Sequence, residues 1–185
     1  EEVNAYCCAV KPQSAYFEQF GSIGVAALAK VVARSKTMGL PVIMDAKRGD
    51  IGTTSQAYAH AFLSDDQAFQ SDLVSDALTV NPLMGEDSVK PFIDEAKKHD
   101  KGLFLLTRTS NKGASFILEE AYNNKTISHK IARQIEVWGK DNIGKHGYHH
   151  IGAVVGATAT DIAKELRELM PHTIILAPGM GAQGG

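Results

Sequence analysis

The segment Val42-Ile43-Met44-Asp45-Ala46-Lys47-Arg48-Gly49-Asp50-Ile51-Gly52-Thr53-Thr54 sets Asp45, Lys47 and Asp50, charges of alternating sign, directly behind an apolar run, with Arg48 beside Lys47. In a strand, residues two apart share a face, so Asp45 and Lys47 at a strand end project together, and Asp50 follows the turn at Gly49. A lysine between two carboxylates stays protonated, because opposite charge nearby favours its charged form. Such a lysine is a proton donor. A Schiff-base lysine would instead need apolar or cationic neighbours that depress its pKa. The competing reading of the string by itself is a surface ion-pair run with no chemical role.

The elements that must carry these charges follow a β-then-α rhythm. Short apolar runs rich in β-branched residues predict strands at Tyr6-Val10, Val42-Asp45, Ala77-Asn81, Leu103-Leu106, Ala153-Gly156 and Thr173-Ala177. Helical periodicity fills Ser14-Lys36, Thr53-Leu63, Asp87-His99, Phe116-Asn142 and Thr160-Leu169, the last with Thr160 and Asp161 as candidate caps. Leu63-Ser75, polar and mixed in charge, is expected to be a loop. Nearly continuous apolar strands mean burial on both faces, the mark of a parallel sheet covered by helices. A doubly wound open sheet would put its glycine-rich phosphate loop after the first strand, whereas Gly179, Gly181, Gly184 and Gly185 follow the last.

The expected fold is therefore α/β, a (β/α)8 TIM barrel, in which chemistry gathers at the carboxyl ends of strands. Lys11, Asp45, Lys47, Asp50, Asn81, Thr109, Ser110 and Gln183 all fall at or just beyond such ends. Six strands do not close a barrel of eight, and the sequence opens without Met. The expectation is one domain over residues 1–185 with its first and last strands absent.

Composition narrows the partners. The sequence has 185 residues, 44% hydrophobic and 22% charged, an ordinary globular balance. A formal net charge of −2 leaves no cationic surplus for nucleic acid. No apolar run approaches the ~18 residues of a membrane span, and no signal peptide opens the chain. Cys7 and Cys8 are adjacent and cannot easily pair with each other. Together these predict reduced thiols and a cytoplasmic setting. His146, His149 and His150 lie near a polar turn with no accompanying acid or cysteine, and are expected to be ordinary surface histidines rather than a metal site.

Asp45-Ala46-Lys47-Arg48-Gly49-Asp50-Ile51 followed by Thr54 resembles the D-x-K-x-x-D-I-x-x-T signature of the orotidine 5′-phosphate decarboxylase family. Four further segments resemble that family in the same order. They are Ala9-Val10-Lys11-Pro12, Ala77-Leu78-Thr79-Val80-Asn81-Pro82 with Gly85, Thr109-Ser110-Asn111, and Ala177-Pro178-Gly179-Met180-Gly181-Ala182-Gln183-Gly184-Gly185.

The resemblance implies that Lys47 protonates the carbon left when CO₂ departs, within a charged network of Asp45, Asp50 and Lys11. It implies substrate contacts from Asn81, Thr109, Ser110, Pro178, Gly181 and Gln183, with Ser110 on the pyrimidine and the last loop on the phosphate. Asp50, Ile51 and Thr54 would reach the neighbouring subunit's site, so a homodimer with shared sites is implied. No metal or organic cofactor is implied, and some members of the branch carry a fused phosphoribosyltransferase domain. The family's ribose-contacting aspartate on the first strand and its phosphate-pairing arginine after the last strand have no counterpart here. These 185 residues by themselves are thus expected to be inactive or weakly active.

Duller roles compete at single positions: a solvated strand-end lysine for Lys11, a turn or capping residue for Ser110, a turn former before proline for Asn81, a surface amide for Gln183. Two other functions compete for the whole. Magnesium-dependent sugar-phosphate enzymes of the same barrel group share the D-x-K-x-x-D string. They are expected to carry a metal-binding glutamate where this sequence has Lys11, whose charge would repel magnesium. A catalytically dead nucleotide-binding barrel is the other.

Overall fold

The computed structural model describes residues 4–180. The chain divides between Gly102 and Leu103 into two compact units.

The first unit contains α1 (Ala15–Glu18), α2 (Gly21–Thr37), β1 (Ile43–Arg48), α3 (Gly52–Leu63), β2 (Ala77–Val80) and α4 (Glu86–Lys98). Strands β1 and β2 are parallel, with Ile43 opposite Ala77 and Met44 opposite Leu78. The register then slips, so that Arg48 pairs Val80. All four β2 residues are buried, as expected of a strand covered on both faces. Met44 and Leu78 from the sheet pack in a core with Leu28 and Val32 of α2, Phe62 and Leu63 of α3, and Phe92 of α4, all at most 4% exposed.

Two expectations change here. Tyr6-Val10 is not a strand: only Val10 and Gln13 form isolated parallel bridges, to Val42 and Asp45. Residues 4–6 form a turn, and between the two bridges Pro12 has no N–H to donate, so they do not join into a continuous ladder. Its carbonyl still accepts from Asp45 N at 3.0 Å, which fixes Lys11 beside β1. The helix expected over Ser14-Lys36 is two helices, because Gly21 adopts a left-handed φ of +61° at the break. Gly24 then lies so close to Phe17 that a Cβ would fall 1.9 Å from its carbonyl oxygen.

The second unit takes up β3 (Gly102–Arg108) from Leu103 on and contains α5 (Ser115–Leu118), β4 (Ala121–Tyr122), β5 (Lys125–Thr126), α6 (Ile127–Gly139), β6 (Ile151–Val155), α7 (Thr160–Leu169) and β7 (Ile175–Leu176). Strands β3, β6 and β7 are parallel neighbours, with Leu105 opposite Ala153 and Ala153 opposite Ile175. β6 is buried throughout. At Gly152 a Cβ would sit 2.5 Å from the Phe104 ring, so glycine leaves room for this aromatic against the strand.

The long helix expected over Phe116-Asn142 is interrupted by a β4–β5 hairpin. Its two-residue turn, Asn123-Asn124, has φ of +52° and +59°, the geometry that Asn tolerates best among residues with a side chain. Helix α6 restarts with a capping box, Thr126 Oγ1 accepting from His129 N and His129 Nδ1 accepting from Thr126 N. Helix α7 begins at Thr160 as expected, but neither Thr160 nor Asp161 is its cap. Ala159 holds that position without a side-chain bond, and Asp161 instead places negative charge in the first turn.

Candidate active site

In the first unit three charged side chains converge at the end of β1. Asp45 Oδ2 accepts from Lys11 Nζ at 2.5 Å and Oδ1 from Lys47 Nζ at 2.7 Å. The carboxylate is nearly buried, its side chain 9% exposed, whereas the lysines keep 36% and 44%. Beneath it, Thr79 of β2 donates to Asp45 Oδ1 at 3.0 Å and accepts from the main-chain N–H of Lys47 at 2.9 Å. Gln13, with its amide turned to donate, reaches the same carboxylate. Lys47 itself has φ +48°, a left-handed conformation that costs a side-chain-bearing residue of order 1–3 kcal/mol and clusters at functional sites.

Burial alone would push the Asp45 carboxyl up. The hydrogen bonds and charges of Lys11 and Lys47 together outweigh it and hold the group below its ordinary value. The carboxylate is thus ionised at neutral pH, and an ammonium group at the mouth of β1 is held in place by it.

Asp50 does not join this cluster. Its Oδ1 accepts from Ile51 N at 2.8 Å, so among the described residues Lys47 meets one carboxylate rather than the two expected from spacing. Ile51 is 57% exposed and Thr54 is also exposed. Gly49 makes the turn possible: a Cβ there would lie 2.9 Å from the Asn81 carbonyl oxygen. Asn81 Oδ1 accepts from Leu83 N at 3.0 Å, the turn-forming role that competes with substrate contact.

In the second unit the loops after β3, β6 and β7 are tied together. Thr109 Oγ1 donates to Asn111 Oδ1 at 2.7 Å, Thr158 Oγ1 donates to the Ser110 carbonyl at 3.1 Å, and Ala157 N donates to the Pro178 carbonyl at 2.8 Å. Gly156 is needed for this, because a Cβ there would fall 2.7–2.8 Å from Ser110. Gly181 and Gln183 lie outside the described residues.

Sequence reasoning missed Thr79 and Gln13, one inside an apolar run and one in an unremarked polar stretch. It also missed the clamp on Arg48, whose guanidinium pairs with Glu18 and lies 5.4 Å and 5.5 Å from the ring centroids of Tyr58 and Phe62. The Asp-Ala-Lys-Arg string holds the one available signal, a second cation too close to Lys47 to share its site. His149 is a correction: it is buried, not on the surface. It faces Glu136 at 3.4 Å and Thr173 at 3.1 Å, and its pKa is lowered by burial despite the glutamate. Among the described residues no group of three or more His, Cys, Asp or Glu could hold a metal. A groove of about 580 Å³ beside the hairpin, lined by Tyr122, Lys125, Lys130 and Arg133 among others, contains none of the candidate residues.

Parallel strands that alternate with helices, and polar groups gathered just past their carboxyl ends, define a protein of the β/α barrel class. The chain belongs to the orotidine 5′-phosphate decarboxylase / HUMPS family, whose model matches residues 1–185. It is 44% identical over 176 residues to the orotidine 5′-phosphate decarboxylase of Rhodopirellula baltica, an alignment covering 95% of this chain and 58% of that protein. The structure of Leishmania donovani OMP decarboxylase matches with a TM-score of 0.79 and 37% identity, covering 96% of this chain and 64% of that one. Leishmania donovani UMP synthase matches with a TM-score of 0.82 and 38% identity, covering 99% and 37%. The chain spans about three-fifths of the length of the curated relatives it matches. Among the described residues no helix is long and apolar enough to cross a membrane.

Proposed function

We propose that the intact protein converts orotidine 5′-monophosphate to uridine 5′-monophosphate and CO₂, with residues 1–185 forming one barrel domain of it. The observation that carries this reading is the Lys11–Asp45–Lys47 cluster, in which a buried carboxylate holds one ammonium group on each oxygen. As the bond to CO₂ breaks, its electron pair stays on the ring carbon, and the Lys47 ammonium stabilises that charge and delivers a proton to it. Asp45 holds and aims the Lys47 side chain through that contact, and its own negative charge disfavours the substrate carboxylate beside it relative to the transition state. No metal or organic cofactor takes part. Lys11 supports this over a magnesium-dependent sugar-phosphate reaction, since its ammonium occupies one side of the Asp45 carboxylate on which a metal would have to sit.

Ser110 and Thr109 are the proposed contacts to the pyrimidine, Pro178, Gly181 and Gln183 to the phosphate, and Asn81 a further substrate contact. The active form is a homodimer in which Asp50, Ile51 and Thr54 serve the neighbouring subunit. The exposure of Ile51 and Thr54, and the absence of an Asp50–Lys47 pair within one chain, support that sharing. Free Cys7 and Cys8 agree with a cytoplasmic setting.

Incubating the intact protein with orotidine 5′-monophosphate in D₂O tests the chemistry. Uridine 5′-monophosphate carrying deuterium at the carbon that lost CO₂ is expected, and unchanged substrate would refute the reading. Mixing inactive Lys47→Ala and Asp50→Asn proteins tests the dimer: recovered activity is expected from shared sites, and none from self-contained ones.

A further inference from the structure

We propose that Thr79 is a positioning residue for the proton donor, its hydroxyl closing a ring that fixes both the main chain of Lys47 and the carboxylate that aims it. This rests on the function proposed above and adds a residue to it. The ring runs from Lys47 N–H to Thr79 Oγ1 at 2.9 Å, from that hydroxyl to Asp45 Oδ1 at 3.0 Å, and from Asp45 Oδ1 back to Lys47 Nζ at 2.7 Å.

A hydroxyl has a single hydrogen, and it goes to the carboxylate rather than to the Met44 carbonyl, which is 3.5 Å away. The Lys47 amide occupies a lone pair, so both ends of the hydroxyl are committed. Thr79 is 1% exposed, so bulk solvent does not compete for either bond. Two features of β1 need such an anchor. Its register slips between Met44 and Arg48, so strand pairing does not hold Lys47, and Lys47 sits in a left-handed conformation that relaxes unless its amide is held. Lys11 and Gln13 also face Asp45, but neither touches the Lys47 main chain. Among the described residues Thr79 is the one side chain bonded to both.

The test uses the intact protein with Thr79→Val, which keeps the shape and loses the hydroxyl, and Thr79→Ser, which keeps the hydroxyl. For Val the expected result is a kcat lower by about 10–100-fold with KM within about threefold, since the lost interaction matters for the reacting geometry rather than for binding. Ser should recover most of that kcat. Asp45 titrated by carboxyl NMR supplies a readout independent of turnover. Its pKa should rise in Val by about one unit, the scale of one hydrogen bond to a charged group, and stay near wild type in Ser. A Val variant with unchanged kcat and unchanged Asp45 titration, or a Ser variant as impaired as Val, overturns the proposal. A wild-type protein inert toward orotidine 5′-monophosphate would instead overturn the decarboxylase reading, and the NMR comparison would still decide the role of Thr79.

Discussion

Replacing Lys11 with methionine removes one of the two ammonium groups on Asp45 while keeping most of the side chain's apolar stem. The lost contact is a 2.5 Å bond to a carboxylate whose side chain is only 9% exposed. Hydrogen bonds to charged groups contribute about 1.5–3 kcal/mol. Lys11 is about one-third exposed, and screening moves the estimate to the lower end, about 1–2 kcal/mol. The sign of the pH dependence follows from Asp45, whose folded pKa lies below its ordinary value. Its paired, ionised form contributes stability that is present above the unfolded pKa of about 3.9 and is lost as pH falls through the folded pKa. Urea unfolding of the intact protein should therefore show Lys11→Met less stable by about 1–2 kcal/mol at pH 7. The gap should narrow below about pH 4 as Asp45 takes up its proton. A gap that stays constant to the lowest pH at which the protein folds would refute this reasoning and place the effect in the lysine stem.

Gly139→Ala would put a Cβ 2.2–2.4 Å from the ring of buried His149, and overpacking of that kind should cost about 1–3 kcal/mol, seen as a lower thermal midpoint. The folded pKa of His149 and that of Glu136 are both lowered, so the unfolded state binds more protons as pH falls. Stability should decline first below about 6.5, the ordinary histidine value, and again in the carboxylate range; His149→Leu should remove the first decline and leave the second. Gly156→Ala would drive a Cβ into Ser110, and is expected to raise KM for orotidine 5′-monophosphate while leaving the Asp45 titration unchanged; a normal KM would remove Ser110 from the binding surface.

The parts of the fold that sequence made legible are those governed by local pattern. The apolar runs around Met44, Leu78, Leu105 and Val154 became parallel strands because burial on both faces leaves few other options. Tyr6-Val10 failed because apolar composition does not separate a strand from the turn that Tyr6 occupies, and beyond Val10 the pairing is interrupted at Pro12, which cannot donate. The break at Asn123-Asn124 rests on two positive-φ residues, which helical periodicity over Phe116-Asn142 does not register. At the site, spacing placed Asp45 and Lys47 together correctly and put Asp50 with them incorrectly, since the turn at Gly49 carries its carboxylate to Ile51 N instead. Thr79 was beyond sequence reasoning, because its partners lie 34 and 32 positions away, across a strand pairing.

Absorbance loss of orotidine 5′-monophosphate, followed with the intact protein and its Lys47→Ala variant after dialysis of both against EDTA, tests the central claim most directly. Turnover by the wild type without added metal, abolished by the substitution, is the predicted result. An inert wild type, or one active only when magnesium is restored, would contradict the account.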